Sequence, residues 1–446
     1  MKPLQLVYVP VGVPTFHLES AQAEFEKSVA LLRSLDAGFI CPGEMLLSLE
    51  ALSGYLEGLS PDLIVFQNLT FANAAYMGEV LRRFNCPVAL WTLREPVVDG
   101  GRLRLNSLTG AYSAANTLKA FGRPFTYVLG SVGEERVVGT LRAVVAAAKV
   151  LPQLRQLRMA AIGHTPQGFG FGRALDGELL ANFGVTLVSV EARELIQRAK
   201  GYAPEDCVQY LEKSRAAMTG LDATPDKNLK DYARLYRAYS EFAGENGIGA
   251  LASRCWPDFF TDFGTPVCAV LSMLNDEGIA AACESDIYGA LSMWIGMRLS
   301  GAPVFFGDPV SLNEEENSIT FWHCGAAACS LARKDTGAAV GVHPNRKIGP
   351  AMDFGCRAFP QATVFRVSRK PEGSFRFFLL KGEALDRPKQ FTGASMVVRT
   401  QVNCRQAVEK SVEEGLEPHF VVIQGDHTQA LRTLAGMLGM EVCLYR

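Results

Sequence analysis

Ile279-Ala-Ala-Ala-Cys283-Glu284-Ser-Asp286, an apolar run onward to Leu299, and then Ala302-Pro-Val-Phe-Phe-Gly307-Asp308-Pro309 form the stretch on which the fold turns. In each half a short apolar run ends in a carboxylate, the way a buried strand delivers an acid to the carboxyl edge of a sheet, where sites form. A helix-length connection between the two lets Glu284 and Asp308 face one crevice. Farther on, Glu417-Pro-His419-Phe-Val-Val-Ile423 opens another apolar strand with an imidazole. Two hard oxygen ligands and one nitrogen suit Mn²⁺, with Fe²⁺, Co²⁺ or Zn²⁺ as competitors, and leave positions open for a substrate.

Working outward, strands alternate with helical patterns on the N-terminal side. The runs Leu4–Val9, Gly38–Cys41, Leu63–Phe66, Val88–Leu90 and Thr126–Leu129 read as strands, with helix-period segments such as Ala21–Leu35 and Ala74–Phe84 between them. That alternation predicts a doubly wound parallel sheet over residues 1–150. A helix over Gly133–Leu151 leads into a second α/β domain, residues 151–300, with strands at Leu157–Ile162, Val185–Val190, Ile248–Ala252 and Ile279–Cys283. Beyond residue 300 the helices thin out. Strands at Ser318–Trp322, Thr363–Ser368, Phe375–Leu380 and Met396–Arg399 predict a mostly antiparallel, barrel-like domain over residues 301–446, finished by His419–Ile423, a helix at Thr428–Leu438 and a strand at Met440–Leu444.

The chain has 446 residues, 48% hydrophobic and 20% charged, with a formal charge of −2. No excess of basic residues recommends a nucleic-acid partner. No run approaches the ~18 uninterrupted apolar residues of a membrane span. The opening Met1-Lys-Pro-Leu-Gln-Leu-Val-Tyr-Val-Pro10 reads as a first strand rather than a leader peptide. The eleven cysteines are scattered singly with no CxxC, the usage of a reducing cytoplasm in which cysteine fills space rather than binding metal.

Other residues compete for attention. Gly163-His164-Thr-Pro-Gln-Gly168-Phe-Gly170-Phe-Gly172-Arg173 follows a strand, but its spacing is not that of a dinucleotide loop, and it reads as turn chemistry or a sugar-contacting loop. Trp256-Pro257 could stack on a sugar face, although core packing is the commoner role for tryptophan. Arg94 lies in a polar strand end, and His17 in the loop Pro14–Glu19. Glu284 and Asp308 could instead be satisfied by Arg254, Arg298 or Arg333. His323, at another strand end, favours metal.

The C-terminal third carries a resemblance. Cys283-Glu284-Ser-Asp286, Gly307-Asp308 with its aspartate 24 positions after Glu284, His323-Cys324-Gly325, Pro418-His419-Phe-Val, Gly425-Asp426 and Leu438-Gly439-Met-Glu441 are similar to the L-fucose isomerase and L-arabinose isomerase superfamily. The resemblance implies one Mn²⁺ held by Glu284, Asp308 and His419, with the two carboxylates also moving protons. His323 falls where arabinose isomerases have a histidine ligand. The implied reaction is aldose–ketose interconversion through a cis-enediol, in a cytoplasmic homo-oligomer, a hexamer, whose first domain closes a neighbour's site. His17, Trp256, His323 and Arg94 are the substrate-contact candidates, and the substrate is a deoxyhexose, a pentose or a hexose with a charged 6-substituent that Arg94, Arg173 or Arg346 would meet. A binding-only sugar protein, a nucleotide-dependent enzyme using Gly168–Gly172 and a metal-dependent aldolase are the alternatives.

Overall fold

The computed structural model describes residues 4–445; Met1–Pro3 of the expected first segment lie outside them. The chain divides into two compact units, residues 1–153 with 429–440, and residues 154–428 with 441–446.

The first unit is built on a parallel sheet of β1 (Leu6–Val11), β2 (Leu63–Asn68), β3 (Val88–Thr92) and β4 (Phe125–Leu129) in that order. β1, β2 and β3 are buried along their whole length, which is why they read as continuous apolar runs rather than alternating ones. The expected strand Gly38–Cys41 is reduced to a single bridge of Ile40 on Val7, with a second bridge of Leu46 on Val11. Pro42 explains the break, since it has no N–H to continue a ladder. The helix Glu135–Leu154 is long and apolar enough to cross a membrane by length and composition. Its Val137, Leu141, Val144, Val145 and Ala148 are core residues of this unit.

The second unit joins two sheets. Its parallel sheet has β5 (Arg158–Ile162), β6 (Thr186–Val190), β7 (Ala250–Ser253) and β8 (Ala280–Cys283), ordered β6-β5-β7-β8. The strand order reverses beside β5, as in doubly wound folds, whose ligands gather at the carboxyl ends near such a reversal. After it come β9 (Phe305–Asn313), β10 (Ser318–His323), a two-residue ribbon of β11 (Val340–Gly341) and β12 (Ala351–Met352), β13 (Phe359–Arg369), β14 (Phe375–Ala384), β15 (Ala394–Thr400), β16 (Phe420–Gln424) and β17 (Glu441–Tyr445). The antiparallel pairings β9-β10-β15-β14-β13-β16 return to β9 and close a six-stranded barrel, with β17 laid parallel on β14. Closure removes the free sheet edges.

One helix, Ile287–Ser300, ties these sheets together. It touches β7 and β8 on one side and β9, β13 and β16 on the other. Its residues from Ile287 to Met297 are all buried, so it carries no polar stripe. Each large apolar side chain it buries contributes roughly 1.5–3 kcal/mol. Gly289 and Gly296 let the barrel approach: a Cβ on Gly289 would lie 2.6 Å from the Phe306 ring, and one on Gly296 3.0 Å from Ile423.

Candidate active site

The site begins where β8 ends. Ala280–Cys283 are small enough to be buried on both faces, and Glu284 follows directly. Glu284 and Ser285 both hold left-handed backbone, φ 59° and 54°, which residues other than glycine rarely adopt. The turn throws the Glu284 side chain out of the strand line. Asp286 then caps the helix Ile287–Ser300, its Oδ1 accepting the Gly289 N–H at 2.8 Å.

Asp308 comes from the barrel wall. It does not end a strand, as the apolar run closing at this carboxylate leads one to expect, but sits fourth in the nine-residue β9. The strand continues because Pro309 falls at a bulge: Pro309 opposes Phe321 and Ser311 opposes Thr320, leaving Val310 without an opposite residue. Bulges tolerate proline and re-aim side chains. On the other side of β9, Phe420 opposes Gly307, so the preceding His419 lies across from Asp308.

These elements bring the expected ligands together. His419 Nε2 is 2.9 Å from Glu284 Oε2 and 3.4 Å from Asp308 Oδ1. Glu284, His323 and His419 present donor atoms all within 4.8 Å of one another. Phe306 packs on the rings of both histidines, with centroids 4.7 Å from His419 and 5.5 Å from His323. None of Arg254, Arg298 and Arg333 reaches Glu284 or Asp308 among the described contacts. Arg254 pairs with Asp258, Arg333 with Asp335 and Asp386, and Arg298 lies over Trp294.

Three residues that the sequence reading gave no role complete the group. Fully buried Arg366 donates to both oxygens of fully buried Asp286, at 2.5 and 3.0 Å. Asp286 Oδ2 is 2.9 Å from His419 Nδ1. Glu417 Oε2 stands 3.8 Å from Arg366 Nε, and both atoms are buried without a hydrogen bond. Arg366 had a signal, being a lone cation in the apolar run Thr363–Ser368; Asp286 was hidden by its ordinary look as a helix cap. The glycine-rich loop also serves this site. Its Phe171 meets His419 edge-on at 5.5 Å, and Ser285 Oγ lies 3.4 Å from the carbonyl oxygens of Ile162 and His164. Gly172 is needed because a Cβ there would stand 2.8 Å from Asp286 Cα.

The electrostatics follow from crowding. Burial pushes the Asp308 carboxyl up, partly offset by His419 and His323. Burial opposes ionisation of Asp286 too, but Arg366 and His419 outweigh it and hold that carboxyl well below the usual range. Burial pulls His419 down, yet its bonds to Asp286 and Glu284 win and raise it to about 10. Asp286 and Glu417 flank the Arg366 guanidinium, and Glu284, Asp286 and Asp308 stand within 3.4 Å of the His419 ring nitrogens, so acidic groups outnumber the basic ones around this point. The donors fit a divalent ion, because His419 is held through Nδ1 while Nε2 faces two carboxylates. Two further groups at donor spacing, Cys283 with His323 and Cys324, and Cys268 with Cys324 and His343, are wholly buried and sulfur-rich. An open-chain sugar needs open positions on its ion, which such a set does not offer.

The remaining candidates lie elsewhere. Trp256 is covered by the Arg346 guanidinium, 5.2 Å from its ring. In the first unit His17 caps the helix Leu18–Leu35 by accepting the Ser20 N–H, and Arg94 pairs with Glu134. A groove of about 710 Å³ along Ser311–Glu316, Arg387 and Arg405 contributes none of these donors.

An α/β sheet that ends in one carboxylate and a barrel wall that supplies a second carboxylate and an imidazole define a candidate divalent-ion site for small-molecule chemistry. The family model for the L-fucose isomerase C-terminal domain matches residues 323–446. The chain is 60% identical to a sulfoquinovose isomerase of Clostridium sp. (strain MSTE9), over the full length of both. It is 38% identical to a sulfoquinovose isomerase of Priestia aryabhattai, again over both chains entirely, and 38% identical to one of Alkalicoccus urumqiensis over 98% of this chain and 99% of that one. The chain belongs to the L-fucose isomerase-like family and is an aldose–ketose isomerase.

Proposed function

We propose that this isomerase interconverts the aldose and ketose forms of sulfoquinovose, a glucose bearing a sulfonate at C6, by proton transfer through a cis-enediol. The relatives' names carry the substrate, and the convergence of Glu284, Asp308 and His419 carries the mechanism. Glu284, Asp308 and His419, with His323 beside them, would hold one divalent ion, Mn²⁺ by the hardness of the donors. When bound, that ion polarises adjacent sugar oxygens and stabilises negative charge developing on them.

Glu284 and Asp308 do the proton work in this reading. One carboxylate removes the proton from the carbon beside the carbonyl and returns it to the neighbouring carbon, while the other moves the hydroxyl proton. We take Glu284 as the carbon base, since the left-handed backbone at Glu284 and Ser285 aims its side chain into the site, and give the hydroxyl proton to Asp308. His419 stays fixed by Asp286. Phe171 and Phe306 keep water from the imidazole faces.

The sulfonate calls for a cation at the far end of the sugar. Of the three arginines available, Arg94 is paired with Glu134 and Arg346 covers Trp256. Arg173 follows the Phe171–Gly172 turn against the site and has no carboxylate partner among the described residues. Arg173 is therefore assigned to the sulfonate. The test is NMR in D₂O with added Mn²⁺, using sulfoquinovose and glucose as substrates. Solvent deuterium entering C1 or C2 of sulfoquinovose, together with a raised KM for it alone in Arg173→Ala, is the expected result. No ketose product from sulfoquinovose would remove the substrate assignment, and product free of deuterium would favour hydride migration over proton transfer.

A further inference from the structure

We infer that Asp286 and Arg366 are positioning residues that fix the tautomer of His419, so that its Nε2 lone pair is always presented to the ion. This rests on His419 being a ligand, as read above. Asp286 and Arg366 are fully buried, and His419 is 1% exposed. Arg366 grips both Asp286 oxygens, and the Gly289 N–H fills another acceptor position. A carboxylate held this way is an acceptor only, so the Nδ1 atom 2.9 Å from Asp286 Oδ2 must carry a hydrogen.

The other nitrogen then has only acceptors in front of it. Nε2 faces Glu284 Oε2 at 2.9 Å and Asp308 Oδ1 at 3.4 Å. A lone pair pointed at two carboxylates is repulsive unless a proton or a cation lies between them. The protein tolerates this arrangement because the ring cannot turn away, with Phe306 on its face and Phe171 at its edge. Glu417 extends the chain of charges, standing 3.8 Å from the remaining guanidinium nitrogen and bonded to the Arg369 N–H. The order of residues is therefore Glu417, Arg366, Asp286, His419, with the ion position at its end.

Asp286→Asn separates this role from helix capping. Asparagine is as good an N-cap as aspartate, so the helix start is kept. Its amide NH₂ would face Nδ1, turn that atom into an acceptor and put the hydrogen on Nε2, aimed at the ion position. Arg366→Lys keeps the charge but loses the two-pronged grip. Two measurements on the full chain read the outcome. Nitrogen-15 NMR of the histidine-labelled, metal-free protein, recorded above the value of about 10 at which His419 gives up its second proton, reports which ring nitrogen keeps the hydrogen, with Glu284→Gln alongside as the control for ligand loss. Mn²⁺ titration reports affinity.

The expected result is a hydrogen on Nδ1 in the parent and on Nε2 in Asp286→Asn, with Mn²⁺ binding weakened ~10–100-fold. Arg366→Lys should weaken it less and with the parent tautomer. Unchanged Nδ1 protonation with unchanged Mn²⁺ affinity in Asp286→Asn overturns the inference. If the parent binds no Mn²⁺ but the tautomer still switches, the positioning role stands and the ligand reading fails. Should Asp286→Asn not fold, Arg366→Lys decides, and parent-like affinity there overturns the inference.

Discussion

Glu284 and Ser285 occupy a backbone region that costs roughly 1–2 kcal/mol for each side-chain-bearing residue, and neither is glycine. Strain of this kind persists where a side chain must be aimed, and here it turns Glu284 toward His419. Replacing Glu284 by Gln keeps the shape and removes the proposed base. The expected outcome is a loss in kcat of ~10²–10⁴-fold with an unchanged melting temperature, since the carboxylate side chain is not a packing element. Near-parent turnover would take the proton-transfer role away from this residue. Glu284 and His419 were legible because each borders an apolar strand that has no other use for a polar group. Asp308 was legible for the wrong reason, a supposed strand end that is a bulge within β9.

At the scale of elements, the helix Ile287–Ser300 does most to set distances, because the parallel sheet and the barrel both pack on it. Gly289 is where the fit is tightest. An added Cβ would meet the Phe306 ring and an Asp286 oxygen, each at 2.6 Å, and neither can yield freely. Phe306 is packed on two imidazoles and Asp286 is clamped by Arg366. Alanine elsewhere in a helix gains about 0.5–1 kcal/mol over glycine, but overpacking costs typically 1–3 kcal/mol, so the clash wins. Gly289→Ala should lower the urea midpoint and the turnover together; a stabilised, fully active variant would show that the contact is not tight. Element type was readable wherever an apolar run was long, as in β2 or β13. What could not be read was which short segment stays a strand: Gly38–Cys41 has the residues of one, and Pro42 leaves it a single bridge.

At the scale of the whole molecule, two parallel sheets and a barrel were legible from the change of rhythm near residue 300, because alternating helices and unbroken runs of strands demand different layers. The strand order that closes the barrel was not legible, since the β16 pairings to β9 and β13 join residues more than 50 positions apart and leave no local mark. Nor was the partnership of Arg366, a lone cation in an apolar run, with Asp286, which lies 80 positions away. Charge also holds the second unit together. Glu241, on the helix Asp226–Asn246, accepts from Tyr202, Arg198 and Arg237 at 2.6–2.8 Å. Burial opposes its ionisation, but these donors prevail and lower it to about 2. A folded-state value below the ordinary one stabilises at higher pH, and that stability is lost as pH falls through the folded value. Glu241→Gln should therefore melt below the parent at pH 7, with the gap closing between the ordinary carboxylate value and about pH 2. A gap that ignores pH would mean the ion pairs contribute little.

The measurement that bears most directly on the site is turnover of sulfoquinovose by the chelator-stripped full chain as Mn²⁺ is added back. One ion per chain, with isomerisation rising in step with occupancy and no such response in Glu284→Gln, is the predicted result. Full turnover in the stripped chain, unmoved by Mn²⁺, would contradict the convergence of Glu284, Asp308 and His419 on a catalytic ion.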